Sequence, residues 1–195
     1  MAQNPIETTK TEQNVKLPSH FTWQEFRLMQ SLFKERRSVK LTYLDGHLEL
    51  MTISEQHELI KSLLSFFIQY YLMTHEIEYT PVGSATRESE EKAVSFEPDE
   101  SYYIGTAGMH PNLAIEVIIS SGSLSKLEKY RRLQIQEVWF WENDTISIYY
   151  LCDTEKIYQP VIHSQLLPNL EIDLLVRCLK MPSRLEAMKA FQENL

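Results

Sequence analysis

Apolar positions along the chain change period several times, and each change marks an element. In "TWQEFRLMQSLFKERR", Trp23, Phe26, Leu28, Met29, Leu32 and Phe33 recur at helical spacing. Thr22 followed three residues later by Glu25 fits a capping box at the start of that helix. "VKLTYLDGHLELM" then alternates about Asp45-Gly46, a hairpin signal because a type I′ turn needs positive φ at both central residues. Ser54 is placed to cap a long helix from Glu55 to about Thr74, with Leu59, Ile60, Leu63, Leu64, Phe67 and Tyr71 forming its apolar side.

The middle of the chain reads as strands. Short ones are expected near Tyr79 to Val82 and Ala93 to Glu97, separated by a polar loop, "GSATRESEEKA". "NLAIEVII" is the most apolar run, and its length and branching predict a fully buried strand. A helix over "LSKLEKYRRLQ", strands "EVWFWE", "ISIYYL" and "IYQPVI", and a final helix over "PSRLEAMKAFQENL" complete the pattern. This order predicts a mixed α/β (α+β) fold. Residues 1–18 hold few apolar groups and read as a flexible tail, leaving 19–195 as one domain.

Composition agrees with one globular core: 195 residues, 43% hydrophobic and 24% charged. Nineteen Lys and Arg against 27 Asp and Glu give a net charge of -8. Global charge therefore gives no reason to expect nucleic-acid or anionic-membrane binding, though a local basic surface remains open. Cys152 and Cys178 are too few for a disulfide scaffold and lack CxxC spacing, so two reduced, buried thiols in a cytoplasmic protein are expected. The polar N-terminus has no signal-peptide core, and Leu63 to Met73 is too short and interrupted to span a membrane.

Glu116 is the most informative residue, a lone acid inside "LAIEVII". A buried unpaired carboxylate costs several kcal/mol, on the order of 3 or more, so Glu116 needs a basic partner, a hydrogen-bond network or a metal ion. Asp99 follows Pro98, which disfavours helix at Glu97 and puts the aspartate at a strand end or turn. Two such carboxylates on adjacent strands could share a hard divalent cation. Lys126 opens the helix ten residues after Glu116 and could turn into the same cleft, or stay solvated. Lys129, Arg131 and Arg132 are expected to face solvent or phosphate. Glu58 could present a third carboxylate, with His57 beside it contacting the site indirectly or meeting phosphate. Alternatively, both lie on the surface of the helix's first turn. Glu49 is a similar strand candidate. No HExxH, GxSxG, GxGxxG or P-loop occurs.

Taken in order, "YLDGHLELM", "SEQHELI", "EPDESYYIG", "NLAIEVI", "KLEKYRRL" and "EVWFWEND" resemble a restriction endonuclease family common in cyanobacteria, within the PD-(D/E)XK nuclease superfamily. The resemblance covers about Trp23 to Ile162. It implies a restriction endonuclease-like fold, a central mixed β-sheet flanked by helices. It puts the PD aspartate on Asp99, the strand glutamate on Glu116, and a helical acid on Glu58. The usual lysine two residues after the glutamate is Ile118 here, and the family's displaced helical lysine matches Lys126. The implied activity is Mg²⁺- or Mn²⁺-dependent hydrolysis of DNA, with Asp99, Glu116 and Glu58 as metal ligands and a homodimer as the assembly. Where relatives carry an "SPST"-type segment, this chain has "IISSGSLSK". A catalytically inactive binding module on the same fold is the alternative.

Overall fold

A computed structural model of the chain describes residues 12–36, 38–119 and 126–195. Two sheets organise these residues. The first has five strands in the order β1-β3-β2-β6-β5: β1 (Asn14–Lys16), β2 (Val39–Leu44), β3 (His47–Thr52), β5 (Arg87–Ser89) and β6 (Val94–Phe96). All its pairings are antiparallel. The second has six strands in the order β11-β10-β9-β8-β7-β4. These are β4 (Tyr79–Pro81), β7 (Glu100–Ile104), β8 (Leu113–Ile118), β9 (Glu137–Glu142), β10 (Thr145–Leu151) and β11 (Tyr158–Val161). Only β8 and β9 run parallel, and the connection between them carries helix α3 (Leu127–Arg132), as a parallel pair requires a crossover. The expected mixed sheet is present, with a second sheet packed beside it.

Local chemistry explains most of the elements. Helix α1 (Trp23–Phe33) starts at the Thr22–Glu25 capping box. The β2–β3 turn puts Asp45 and Gly46 at φ +49° and +78°, pairing Leu44 with His47. Gly46 is needed there twice over, because an added Cβ would also collide with the His20 imidazole. Helix α2 (Glu55–Thr74) is capped by Ser54, whose hydroxyl accepts from the His57 amide. A second turn with positive φ at Asn143 and Asp144 joins β9 to β10.

Strand β8 is buried along its whole length, and its two faces meet different cores. Leu113, Ile115 and Val117 pack toward α2 and the C-terminal helices α4 (Ile172–Lys180) and α5 (Arg184–Gln192). Ala114 and Ile118 pack on the opposite face with Val94, Phe96 and Tyr130. Glu116 belongs to that second face, because side chains alternate along a strand. No helix among the described residues is long and apolar enough to cross a membrane.

Three expectations need correction, and two elements have no counterpart in the sequence pattern. Asn14–Lys16, inside the expected tail, pair with β3, although all three residues are exposed. Backbone hydrogen bonds rather than apolar burial hold them, so composition gives no sign of the strand. The loop "GSATRESEEKA" contains β5, which pairs with β6, with Arg27 of α1 bonded to Glu88. Strand β7 and helix α4 were unread; β7 has no clean alternation, and α4 lies between polar segments. The helix expected from Leu124 is present over Leu127–Arg132, and Leu124 and Ser125 lie outside the described residues, as does the segment "SSGS" before them. Cys178 is buried as expected, but Cys152, just after β10, is only half-buried.

Candidate active site

Asp99 immediately precedes β7, and Pro98 keeps it out of helix. The register Glu100↔Ile115 brings Asp99 opposite Glu116 across the β7–β8 pair. Opposed residues on antiparallel strands carry Cβ atoms about 5 Å apart on one face. Both carboxylates are buried, with Asp99 0% and Glu116 2% exposed.

Neither carboxylate is left uncompensated. Asp99 Oδ1 takes the Lys40 ammonium from β2. Its Oδ2 accepts from the Val117 amide at 2.6 Å and from His57 Nε2 at 3.1 Å. Lys40 also donates to the Pro98 and Glu97 carbonyls at 3.2 and 3.3 Å. Glu116 Oε1 accepts from Lys129 Nζ at 2.7 Å and from the Tyr130 hydroxyl. Lys129 also lies over the Phe96 ring, 4.8 Å from its centre.

This arrangement sets the charge states. Burial alone would raise the Asp99 pKa, but Lys40 and the His57 hydrogen bond outweigh it and hold the carboxyl far below the usual range. Burial opposes charge on Lys40 as well, yet Asp99 and then Glu116 keep its pKa raised. Burial would lower His57, but the hydrogen bond to Asp99 and that residue's negative charge together outweigh it and raise the pKa. Lys129 goes the other way: burial, with Lys126 and Lys40 nearby, lowers it against the pull of Glu116. Burial and then Glu116 push the Tyr130 hydroxyl far up, so it remains a donor.

The structure sorts the expected residues. Asp99 and Glu116 come together. His57 is fully buried and bonded to Asp99, which removes the reading of it as a surface residue. Its Nδ1 has no hydrogen-bond partner and lies 3.7 Å from Glu58 Oε1. Glu58 itself is half exposed and meets Lys61 at 3.5 Å. Among the described residues, no three His, Cys, Asp or Glu side chains form a group able to hold a metal ion, so Glu58 does not complete a triad with Asp99 and Glu116.

Lys126 has no hydrogen-bond or ion-pair partner among the described residues. It lines a cavity with Lys129, Lys16 and Glu49, where Glu49 pairs with Lys16 at 3.0 Å. The lysine that reaches Glu116 is Lys129, three positions on, and not a solvated residue as expected. Arg131 and Arg132 pair with Glu128, and Arg132 also holds Asp45.

Sequence reasoning missed Lys40, Lys129 and Tyr130. The signal for Lys40 was a lysine inside the apolar run of β2. For Lys129 it was adjacency to Tyr130 on the helix side that faces β8.

The donor chemistry of Asp99 and Glu116 suits Mg²⁺, which takes one or two protein carboxylates and keeps several waters. Lys40 now holds Asp99 Oδ1 and Lys129 holds Glu116 Oε1, so a cation binding through those two oxygens would have to displace an ammonium group.

Comparison with known proteins adds one finding. The family model Uma2, described as "Putative restriction endonuclease", matches residues 23–182. No match was found among curated proteins.

Proposed function

The chain belongs to the Uma2 family, with its restriction endonuclease-like fold and nuclease-like function, and on that premise we propose that the Asp99–Glu116 centre hydrolyses phosphodiester bonds of nucleic acid, DNA above all, with Mg²⁺ or Mn²⁺. The observation that carries this reading is the pair of buried carboxylates facing each other across β7 and β8, ringed by Lys40, Lys129 and His57. Ordinary cores do not collect that many ionisable groups, because each charge costs desolvation energy.

Asp99 and Glu116 would hold the metal. When bound, a divalent ion lowers the pKa of a coordinated water and offsets charge on the scissile phosphate. The water oxygen bonds to phosphorus as the bond to the leaving oxygen breaks, and Lys126 and Lys129 would offset the charge that builds on the phosphate. His57 and the Val117 amide would fix the Asp99 carboxylate in place. Glu58, bonded to Lys61, stands outside this assignment. Cleavage of both strands of a duplex needs two such centres, which a symmetric homodimer would supply.

The test is conversion of supercoiled plasmid to nicked or linear forms with Mg²⁺ or Mn²⁺. Glu116→Gln and Asp99→Asn should each abolish it while leaving the circular-dichroism spectrum intact. Cleavage by Glu116→Gln at the unaltered rate would overturn the assignment. A second reading follows from the lysines that already neutralise both carboxylates: a nuclease-fold binding module without catalysis. It predicts nucleic-acid binding that divalent ions leave unchanged, and no cleavage.

A further inference from the structure

A cavity of about 400 Å³ opens between the β2–β3 hairpin and the start of α3. Lys129 lines it and also touches Glu116, so the cavity adjoins the carboxylate centre. Its walls combine an apolar floor, Leu17, Leu44 and Leu48, with a charged rim. Two of the rim's lysines are matched, Lys16 by Glu49 and Lys129 by Glu116, and the rim's Asp45 is held by Arg132 from outside the cavity. Lys126 is the remainder, an ammonium close enough to Lys129 to repel it and without an acid of its own among the described residues. In a chain of net charge -8, this is a local positive surplus at the mouth of a largely apolar recess.

We propose that this cavity is a subsite for one unstacked nucleotide of the nucleic-acid strand, with its phosphate on Lys126 and its base against Leu17, Leu44 and Leu48. The proposal rests on the nucleic-acid reading of the Asp99–Glu116 centre and names the form of substrate that reading leaves open. Lys126 has no acid against it among the described residues and can take an anion, and an apolar floor rewards a flat, weakly hydrated base. A phosphate on Lys126 would lie beside Lys129, which is bonded to Glu116. Paired bases within a duplex cannot enter such a recess, and pulling one out costs a few kcal/mol, roughly 2 or more. The subsite therefore favours strands with an unpaired nucleotide next to the bond to be cut.

The test uses the full chain in EDTA, where metal-dependent cleavage is silent, with thymidine 5′-monophosphate and inorganic phosphate as probes in titration calorimetry. The nucleotide should bind more tightly than phosphate. Lys126→Gln should weaken both by about tenfold, the scale of one charge-assisted contact. Thr42→Phe, which fills the cavity from β2, should erase the advantage of the nucleotide while phosphate binding persists. Circular dichroism establishes that both variants are folded. A nucleotide that binds no better than phosphate, or an advantage that survives Thr42→Phe, would overturn the proposal. Because no bond is broken in this assay, failure here leaves the plasmid result for Glu116→Gln to judge the hydrolytic reading separately.

Discussion

Replacing Lys129 by Met isolates the ion pair at the heart of the site. Lys129 and Glu116 meet at 2.7 Å with side chains 9% and 2% exposed, so solvent screens the pair little. Methionine keeps an unbranched apolar side chain and removes the ammonium, together with its cation–π contact with Phe96. Breaking one half of a buried pair costs about 3–5 kcal/mol, because the other charge is left without its partner. Glu116 keeps the Tyr130 hydroxyl and feels the Lys40 charge, which puts the cost near the lower end, about 3 kcal/mol. For a chain of this size that lowers the Tm by roughly 6–12 °C. Adding Glu116→Gln removes the orphaned charge and should recover roughly 2 kcal/mol, a coupling that urea denaturation of the four-member cycle measures directly. A loss under 1 kcal/mol in the single variant, or no recovery in the double variant, would refute this account of the pair.

Other expectations follow from the same geometry. His57 has its pKa raised in the folded state, so its contribution is complete below about pH 6.5 and fades as pH rises through the raised value. Urea denaturation across pH 5.5–9 should show that decline in the wild-type chain and a flatter profile in His57→Asn. Asp99 behaves oppositely: its depressed pKa stabilises the fold above about pH 4, and acid titration should remove that contribution in the wild type but not in Asp99→Asn. Gly46→Ala should cost roughly 1–2 kcal/mol in thermal unfolding, since φ of +78° suits glycine. Glu137 is fully buried and accepts from Trp139 Nε1, Ser164 Oγ and the Gln165 amide at 2.6, 2.5 and 2.7 Å. Glu137→Ala leaves those donors unmet and should destabilise by about 3 kcal/mol or more, whereas Ser164→Ala should cost less.

Features coded by neighbours in sequence were legible in it. The Thr22–Glu25 box, the Asp45-Gly46 turn and the bounds of α2 all follow from residues a few positions apart. The burial of β8 and the exceptional position of Glu116 followed from composition alone. The partners of the carboxylates did not, because they are set by long-range packing: Lys40 lies 59 residues from Asp99. The choice between Lys126 and Lys129 depends on how α3 meets β8. Lys126 is the N-cap of α3 and Lys129 lies within its first turn, and the packing of that turn on β8 brings Lys129 to Glu116. Strand β1 escaped notice because its support is a backbone ladder, which leaves no apolar signature.

Diffraction from crystals soaked in Mn²⁺, recorded for its anomalous signal, tests the central claim most directly. The account predicts a peak between the Asp99 and Glu116 carboxylates, with Lys40 or Lys129 moved off its oxygen to admit the ion. An empty position, with both lysines still on their carboxylates at a Mn²⁺ concentration that saturates binding in solution, would contradict it.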